Sequence, residues 1–451
     1  MKKVILIGAG EAGNIVLKNQ LEFGFKVDVW LDDDAMKHPK MKKVVKNVGN
    51  INSLPKYIES YETVIVAIAG ASRGLLSRIK EMSREKQLLV MPPVYLQLKD
   101  LFPAEPLRPY GIEDLLARSK RKIDLSVAKM QLKESTILIA GAGGSIGGEL
   151  AKLVSVFGCK RLILVDIDEN GLEEIRMMIE RGSDIEIESY LCDLKNLKYL
   201  SRIFESHPDI VFNCAAHKHV SSGQRNPSEI VHNNLSSTRN LLECCSSSKT
   251  KKFIFISTDK SVTPTSVMGA SKTLCESLIL SWKKDFPERY IVRFGNVLNS
   301  QGSVLRIWEN QLNEGFVLTV TDPKMKRYVM SISEACQLIL KSIEFRPGTY
   351  ILDMGSQITV DELLDAFLKS HEKTRDEVRI KRIGKKAGEK LQEELFWPQE
   401  VHKRTLCNKI FSVGNTPTFN YTRPFEASKR FDDKAAMHEL KALFPELKQQ
   451  T

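Results

Sequence analysis

No apolar run in this sequence approaches the ~20 residues that a bilayer-spanning helix needs, so no membrane span is expected. Met1-Lys2-Lys3 followed by Val4–Ile7 lacks the small-residue cleavage site of a secretory leader; the glycines and Glu11 that follow fit a strand, turn and helix instead. Cysteine is sparse and scattered. Its 8 copies form no CxxC pair, which excludes a disulfide framework or a zinc site and fits a reducing, cytoplasmic setting. Histidine is equally sparse. His217 and His219 flank Lys218, but no carboxylate or cysteine completes a ligand set at usable spacing, so no metal is expected. Blocks of one charge sign are also missing. The net charge of +11 is spread over the whole length, as a solvated surface requires, and no nucleic-acid partner is expected.

What is present is a chain of 451 residues, 42% apolar and 27% charged, too long for one ordinary core. An apolar strand over residues 3–8 runs into Gly8-Ala9-Gly10-Glu11-Ala12-Gly13, which opens a helix. Strand, GxGxxG and helix together give a tight turn and free N–H groups for a phosphate. Asp32 follows a second strand, Val27–Leu31, at the place where a carboxylate meets a ribose, and a third strand, Thr63–Ile68, ends at Gly70. Gly8, Gly10, Gly13 and Asp32 thus form a possible second nucleotide site; a unit serving assembly with a vestigial site is the equal alternative. Pro92-Pro93 and the prolines from Pro103 to Pro109 punctuate its end. Ile112 to Lys133 reads as a connector with helical stretches and a solvated basic run, Lys120-Arg121-Lys122.

A second glycine motif follows strand Thr136–Ala140, with Gly141, Gly144 and Gly147 in GxxGxxG spacing and Ser145 and Ile146 opening the helix. Strand Arg161–Val165 ends in Asp166, whose carboxylate would accept ribose hydroxyls and repel a 2′-phosphate, which predicts NAD as cofactor. Asp193 and Leu194 end a third strand and Ala215 and Ala216 a fourth, all at the edge where such sheets hold a dinucleotide. Phe253–Ile256 reads as a fully buried strand ending in Ser257-Thr258-Asp259-Lys260, with Met268 and Lys272 at the start of a helix beyond it. Taken alone, Thr-Asp-Lys is a polar turn. An NAD site followed by the cations of Arg293, Arg327, Lys386 and Lys390 suits an anionic substrate such as a nucleoside-diphosphate sugar.

In GAGGSIGGEL (141–150), AAHKHV (215–220), STDK (257–260), VMGASK (267–272), VRFGNVL (292–298), MKRYVM (325–330), LDMG (352–355) and AGEKLQEEL (387–395), the chain resembles the nucleotide-sugar dehydratases of polysaccharide biosynthesis. These belong to the extended short-chain dehydrogenase/reductase superfamily. It is most similar to the long UDP-N-acetylglucosamine 4,6-dehydratases, which carry methionine in place of the usual catalytic tyrosine. The resemblance implies an α/β protein with two Rossmann-like doubly wound parallel sheets. It implies a nucleotide-binding domain over 1–95, a linker over 96–134, an NAD domain over 135–385 and a smaller C-terminal substrate region over 386–451. A UDP-sugar substrate and a homo-oligomer follow as expectations.

The implied chemistry is an internal redox cycle. Thr258 handles the 4-hydroxyl proton with Lys272 assisting and Met268 unable to titrate. Lys260 takes the carbon 5 proton, Asp259 protonates the departing 6-hydroxyl, and Lys218, His219, Asn296, Arg327, Lys386, Glu389 and Lys390 bind substrate. Lys260 must then be brought from about 10.4 toward neutrality, roughly 4 kcal/mol, by burial and Lys272. An ion pair would oppose this, so Asp259 and Lys260 are expected to point to different parts of the sugar. Three departures stand out: no membrane helices precede the first domain, Ser221-Ser222-Gly223-Gln224 replaces Pro-Leu-Met-Glu, and Lys386-Ala387 with Gln392 replaces Arg-Pro and tyrosine. The alternatives are a 4-epimerase on the same scaffold and a silent nucleotide-sugar or NAD binder.

Overall fold

The computed structural model describes residues 1–68, 71–91, 107–112, 116, 123–283 and 288–447; Gly70, Pro92-Pro93, Pro103 to Pro106 and Lys120-Arg121-Lys122 lie outside them. The chain forms two compact units, Met1–Lys122 with Ala366–Thr374, and Ile123–Asp365 with Arg375–Thr451.

In the first unit, alternation along one strand builds two cores. Within Lys2–Ile7, Ile5 and Ile7 face one apolar cluster with Leu31, Val64 and Val66, while Val4 and Leu6 face another with Trp30, Ile65 and Ala67. A strand buried on both faces is what a parallel sheet demands. Five strands run parallel in the order Asn47–Gly49, Phe25–Leu31, Lys2–Ile7, Thr63–Val66, Gln87–Val90. Arg108–Pro109, read in the sequence as connector, adds a sixth strand, antiparallel, at the edge, where proline's missing N–H costs no ladder bond.

The second unit has a nine-stranded sheet. Seven strands are parallel, in the order Glu186–Leu191, Arg161–Asp166, Thr136–Ala140, Ile210–Asn213, Lys252–Ile256, Glu288–Arg293, Gly348–Leu352. Ile410–Gly414 and Val401–Arg404 extend it antiparallel. The strand order reverses at Thr136–Ala140, so a crevice opens at that strand's carboxyl end, between Asp166 and Cys214. Helices Pro227–Ser248 and Val267–Leu280 cover one face. The closing helices, Thr422–Lys429 and Asp433–Leu443, put Phe425, Met437 and Leu440 into the same apolar cluster. Each such buried side chain contributes about 1.5–3 kcal/mol. Among the described residues no helix is long and apolar enough to cross a membrane.

Candidate active site

The crevice is a cradle that only glycine can line. Gly141 has φ +81° and a Cβ there would sit 2.6 Å from the Ala215 nitrogen. A Cβ on Gly147 would lie 2.0 Å from the Gly141 carbonyl, so the helix Ser145–Val156 packs directly on the turn and points its free N–H groups outward. Gly144 caps that helix, Ile146 is half-buried, and the Ser145 hydroxyl accepts from the Gln301 N–H at 2.9 Å. Asp166 leans over the loop. Its Oδ2 accepts the Gly143 N–H at 2.7 Å and its Oδ1 the Ile167 and Asp168 N–H groups, which leaves a lone pair on Oδ2 for a hydroxyl. Asp193 accepts the Lys195 N–H, Leu194 is buried beneath it, and Ala215 and Ala216 form the opposite wall half-buried.

One strand further on, Lys252–Ile256 ends in the Ser257–Ser261 loop, which is held from below by a buried charge network. The Ser257 and Ser261 hydroxyls both donate to Glu276, on the helix Val267–Leu280. Arg293 grips Glu276 through Nε at 2.9 Å and Glu400 through Nη1 at 2.7 Å, and all three side chains are at most 1% exposed. Arg293 was read in the sequence as one of the cations for an anionic substrate. It is buried structure instead, because two carboxylates already satisfy it. Gly269 lets the helix approach this loop; a Cβ there would stand 2.2 Å from the Lys260 carbonyl. Ser266 caps the helix by accepting the Gly269 N–H, and Gln224 accepts the Val267 N–H.

The catalytic candidates then form a chain. The Thr258 hydroxyl donates to Asp259 Oδ1 at 2.9 Å, and the Lys260 ammonium donates to the same oxygen at 3.1 Å and to Asn296 Oδ1 at 2.8 Å. The expectation that Asp259 and Lys260 point apart is therefore corrected: Asp259 is wholly buried, and Lys260 is the nearest charge that offsets the burial. Burial works against the Lys260 charge, but Asp259 and Glu393 outweigh it and hold its pKa above the ordinary lysine range, not below it. Of the two catalytic-candidate lysines, the one that burial pushes down is Lys272. It is 7% exposed, with its ammonium 4.0 Å over the Phe255 ring, and Met268 is buried beside Gly223 one turn earlier.

A cavity of about 100 Å³ opens beside this loop, lined among others by Lys260, Asn296, Arg327, Glu389, Lys390 and Glu393. Four of these six, Asn296, Arg327, Glu389 and Lys390, are expected substrate residues, and Lys260 is the expected base. Arg327 and Lys390 also brace the wall, the first donating to the Lys390 carbonyl at 3.0 Å and the second to the Val262 carbonyl at 2.8 Å. Lys218, His219 and Lys386 are exposed and stand outside the lining; the His219 ring lies where a Cβ on Gly302 would be 2.5 Å away. Glu393 was not singled out from the sequence. It is 3% exposed, 3.8 Å from the Lys260 ammonium, and its Oε2 has no partner. Burial raises its pKa. Its one sequence signal is its place in the AGEKLQEEL segment.

The first unit repeats the cradle in outline. Gly8 has φ +104°, a Cβ on Gly13 would lie 1.9 Å from the Gly8 carbonyl, and Gly10 is open to space. Asp32 accepts the Ala9 N–H at 2.6 Å, as Asp166 accepts that of Gly143, but Lys37 also sits 3.4 Å from it.

Fold and glycine cradle together define a Rossmann-type protein. The sequence model of the polysaccharide biosynthesis protein family matches residues 137–415, and the chain belongs to that family. It is 33% identical over 425 residues to the capsular polysaccharide biosynthesis protein CapD of Staphylococcus aureus, covering 91% of this chain and 71% of that one. It is 31% identical over 278 residues to the UDP-glucose 4-epimerase of Rickettsia conorii, covering 60% of this chain and 80% of that one. In fold it is similar to the dTDP-glucose 4,6-dehydratase DesIV of Streptomyces venezuelae, solved with NAD and TYD bound. The TM-score is 0.51 at 18% identity, over 58% of this chain and 88% of that one.

Proposed function

We propose that this chain is an NAD-dependent 4,6-dehydratase that converts UDP-N-acetylglucosamine into a 4-keto-6-deoxy sugar nucleotide for surface-glycan or rare-sugar synthesis. The observation that carries the reading is the Thr258–Asp259–Lys260 chain at the mouth of a cavity, two strands from the strand that carries the glycine turn. An epimerase needs no acid and base at carbons 5 and 6 and would have no use for that chain. The 4-epimerase stays the rival reading because of the 31% identity to a protein of that name.

The cradle fits a dinucleotide, since Gly141 and Gly147 let the helix Ser145–Val156 pack directly on the turn, with its first N–H groups available to a pyrophosphate. Gly141, Gly144 and Gly147 would hold its pyrophosphate and Asp166 its ribose. When bound, NAD takes hydrogen from carbon 4 of the sugar and gives it back at carbon 6. Thr258, already donating to Asp259 and accepting the Lys260 N–H, has one lone pair free for the 4-hydroxyl and a carboxylate behind it to receive the proton. Lys260 faces the cavity as the base for carbon 5. Lys272, buried and with its pKa lowered, lies along the same helix as Met268 and assists at the 4-oxygen. A cytoplasmic site of action, expected from the cysteine usage, and a homo-oligomer, taken from the resemblance, go with this reading.

The test is proton NMR of UDP-N-acetylglucosamine mixed with the purified protein and no added cofactor. A new carbon 6 methyl doublet with loss of the carbon 4 proton is the expected result. Appearance of the 4-epimer with its 6-hydroxyl intact would replace the dehydratase with the epimerase.

A further inference from the structure

The first unit supplies none of the residues that line the cavity, yet one face of it gathers cations that nothing in the unit uses. Residues 35–46 hold Lys37, Lys40, Lys42, Lys43 and Lys46, with no carboxylate and no arginine among them. Spaced as they are, these lysines form no run in the sequence; the fold brings them together. Met41 and Val45, four residues apart, are buried in the apolar cluster of Val27 and Trp30. Pro39, Lys40, Lys42 and Lys43 are thereby turned outward and exposed, and Lys46 follows them, also exposed. Met36 and Val44 stand among these lysines 85% and 60% exposed. The turn is pinned. Asp34 accepts the Met36 N–H at 3.1 Å, and His38 Nε2 donates to the Asp32 carbonyl at 2.7 Å. The aspartates before the segment are taken, Asp32 and Asp34 by Lys37 at 3.4 and 3.6 Å and Asp33 by Arg78 at 3.5 Å. Among the described residues, Lys40, Lys42, Lys43 and Lys46 have no carboxylate partner.

We propose that this face docks the protein on a bilayer surface rich in anionic phospholipid, with Lys40, Lys42, Lys43 and Lys46 at the headgroups and Met36 and Val44 entering the interface. The inference concerns the first unit and does not depend on the reaction proposed above.

Three features select a lipid surface among anionic partners. Lysine is a point charge on a flexible stem and suits a fluid layer of headgroups. Phosphates or carboxylates in fixed positions are gripped by the planar fork of arginine, which the segment lacks. Met36 and Val44 gain nothing against a nucleic-acid backbone, but they leave water when they enter the boundary between headgroups and acyl chains. A folded acidic protein would need about 800 Å² of complementary surface on each side, which a short turn of lysines does not offer, whereas a leaflet adapts to the turn. Each lysine near an anionic leaflet strengthens binding about fivefold, so four of them give roughly several hundred-fold. Most of that gain is electrostatic and falls off within about 10 Å at 0.1 M salt. Docking of this kind is reversible and salt-sensitive, not an anchor.

The test is co-sedimentation of the purified protein with vesicles of phosphatidylcholine, pure or with about a third phosphatidylglycerol, at about 0.1 M and about 0.5 M salt. Binding to the mixed vesicles alone, reversed at the higher salt, is the expected result. Lys42→Glu with Lys43→Glu is expected to weaken it at least ~25-fold. Lys198→Glu with Arg202→Glu removes the same charge from exposed positions of the helix Leu197–Ile203 in the second unit and is expected to stay within about threefold of the natural protein. Met36→Ser with Val44→Ser is expected to lose several-fold and to keep the salt dependence. All six positions are exposed, and melting of each variant with the natural protein shows that the fold is kept. No binding to the mixed vesicles at the lower salt overturns the inference. Equal losses in the two charge-reversed pairs overturn it too, because net charge alone would then account for binding. Natural affinity in Met36→Ser with Val44→Ser removes the insertion and with it the choice of lipid. Binding of duplex DNA as tight as that of the mixed vesicles replaces the leaflet with a general polyanion surface.

Discussion

Lys272 shows how a single buried charge is held at a cost to the fold. The ammonium is 7% exposed on an otherwise buried helix face, and burial lowers its pKa despite the Phe255 ring beneath it. The folded pKa lies below the unfolded one. Its contribution to stability is therefore fully present above the unfolded value, about 10.4, and is lost as pH falls through the folded value. Lys272→Met is expected to melt higher than the natural protein at pH 7, with the difference closing as pH rises toward about 10. A variant that melts lower at pH 7 would show that the ring contact outweighs desolvation. Residues of this kind were only half legible in the sequence. Lys272 and Lys260 announce themselves by motif. The reversal of the Lys260 pKa comes first from Asp259 beside it and then from Glu393, 133 positions away along the chain, and no local pattern carries that second distance.

At the scale of elements, the Ser257–Ser261 loop owes its shape to three charges that never reach the cavity. Glu276 accepts from Ser257, Ser261 and Arg293, and Arg293 also holds Glu400, which in turn accepts the Trp397 N–H at 2.9 Å. Breaking a buried network from one side leaves an uncompensated charge, at a cost of about 3–5 kcal/mol. Glu276→Ala should lower the unfolding free energy in urea by that order and, by freeing both serines, disorder the loop that carries Thr258 and Lys260. A loss below about 1 kcal/mol would mean that water reaches Arg293. The strands behind this loop were readable because a parallel strand covered on both faces is a short unbroken apolar run, and Phe253–Ile256 is one. The role of Arg293 was not, because a sequence shows that an arginine is present and not which way it faces. The two antiparallel strands at Val401–Arg404 and Ile410–Gly414 were missed for a related reason: the first is exposed along its length and shows no apolar signal.

Across the whole molecule the same device occurs twice: a parallel sheet that reverses order at its first strand, a glycine turn there, and an aspartate from the next strand over that turn. The repetition was legible, since glycine spacing and a carboxylate about 20 residues on are local signals. Whether both cradles hold a nucleotide was not, because that depends on what else reaches the aspartate. In the second unit Asp166 accepts only backbone N–H groups from its own turn and the residues after it. In the first, Lys37 lies within 3.4 Å of Asp32 and competes with a ribose for the carboxylate. Paired substitutions decide between the two. Gly147→Ala forces a Cβ to 2.0 Å from the Gly141 carbonyl, and Gly13→Ala forces one to 1.9 Å from that of Gly8, so the steric insult is matched. Gly147→Ala is expected to purify with less than about a tenth of the natural NAD content, since a shift of the helix by even 1.4 kcal/mol of binding is tenfold in affinity. Gly13→Ala is expected to keep its NAD in full. If Gly13→Ala instead halves the NAD released on denaturation, the first cradle holds a second dinucleotide, and the Lys37 pair opens to admit it.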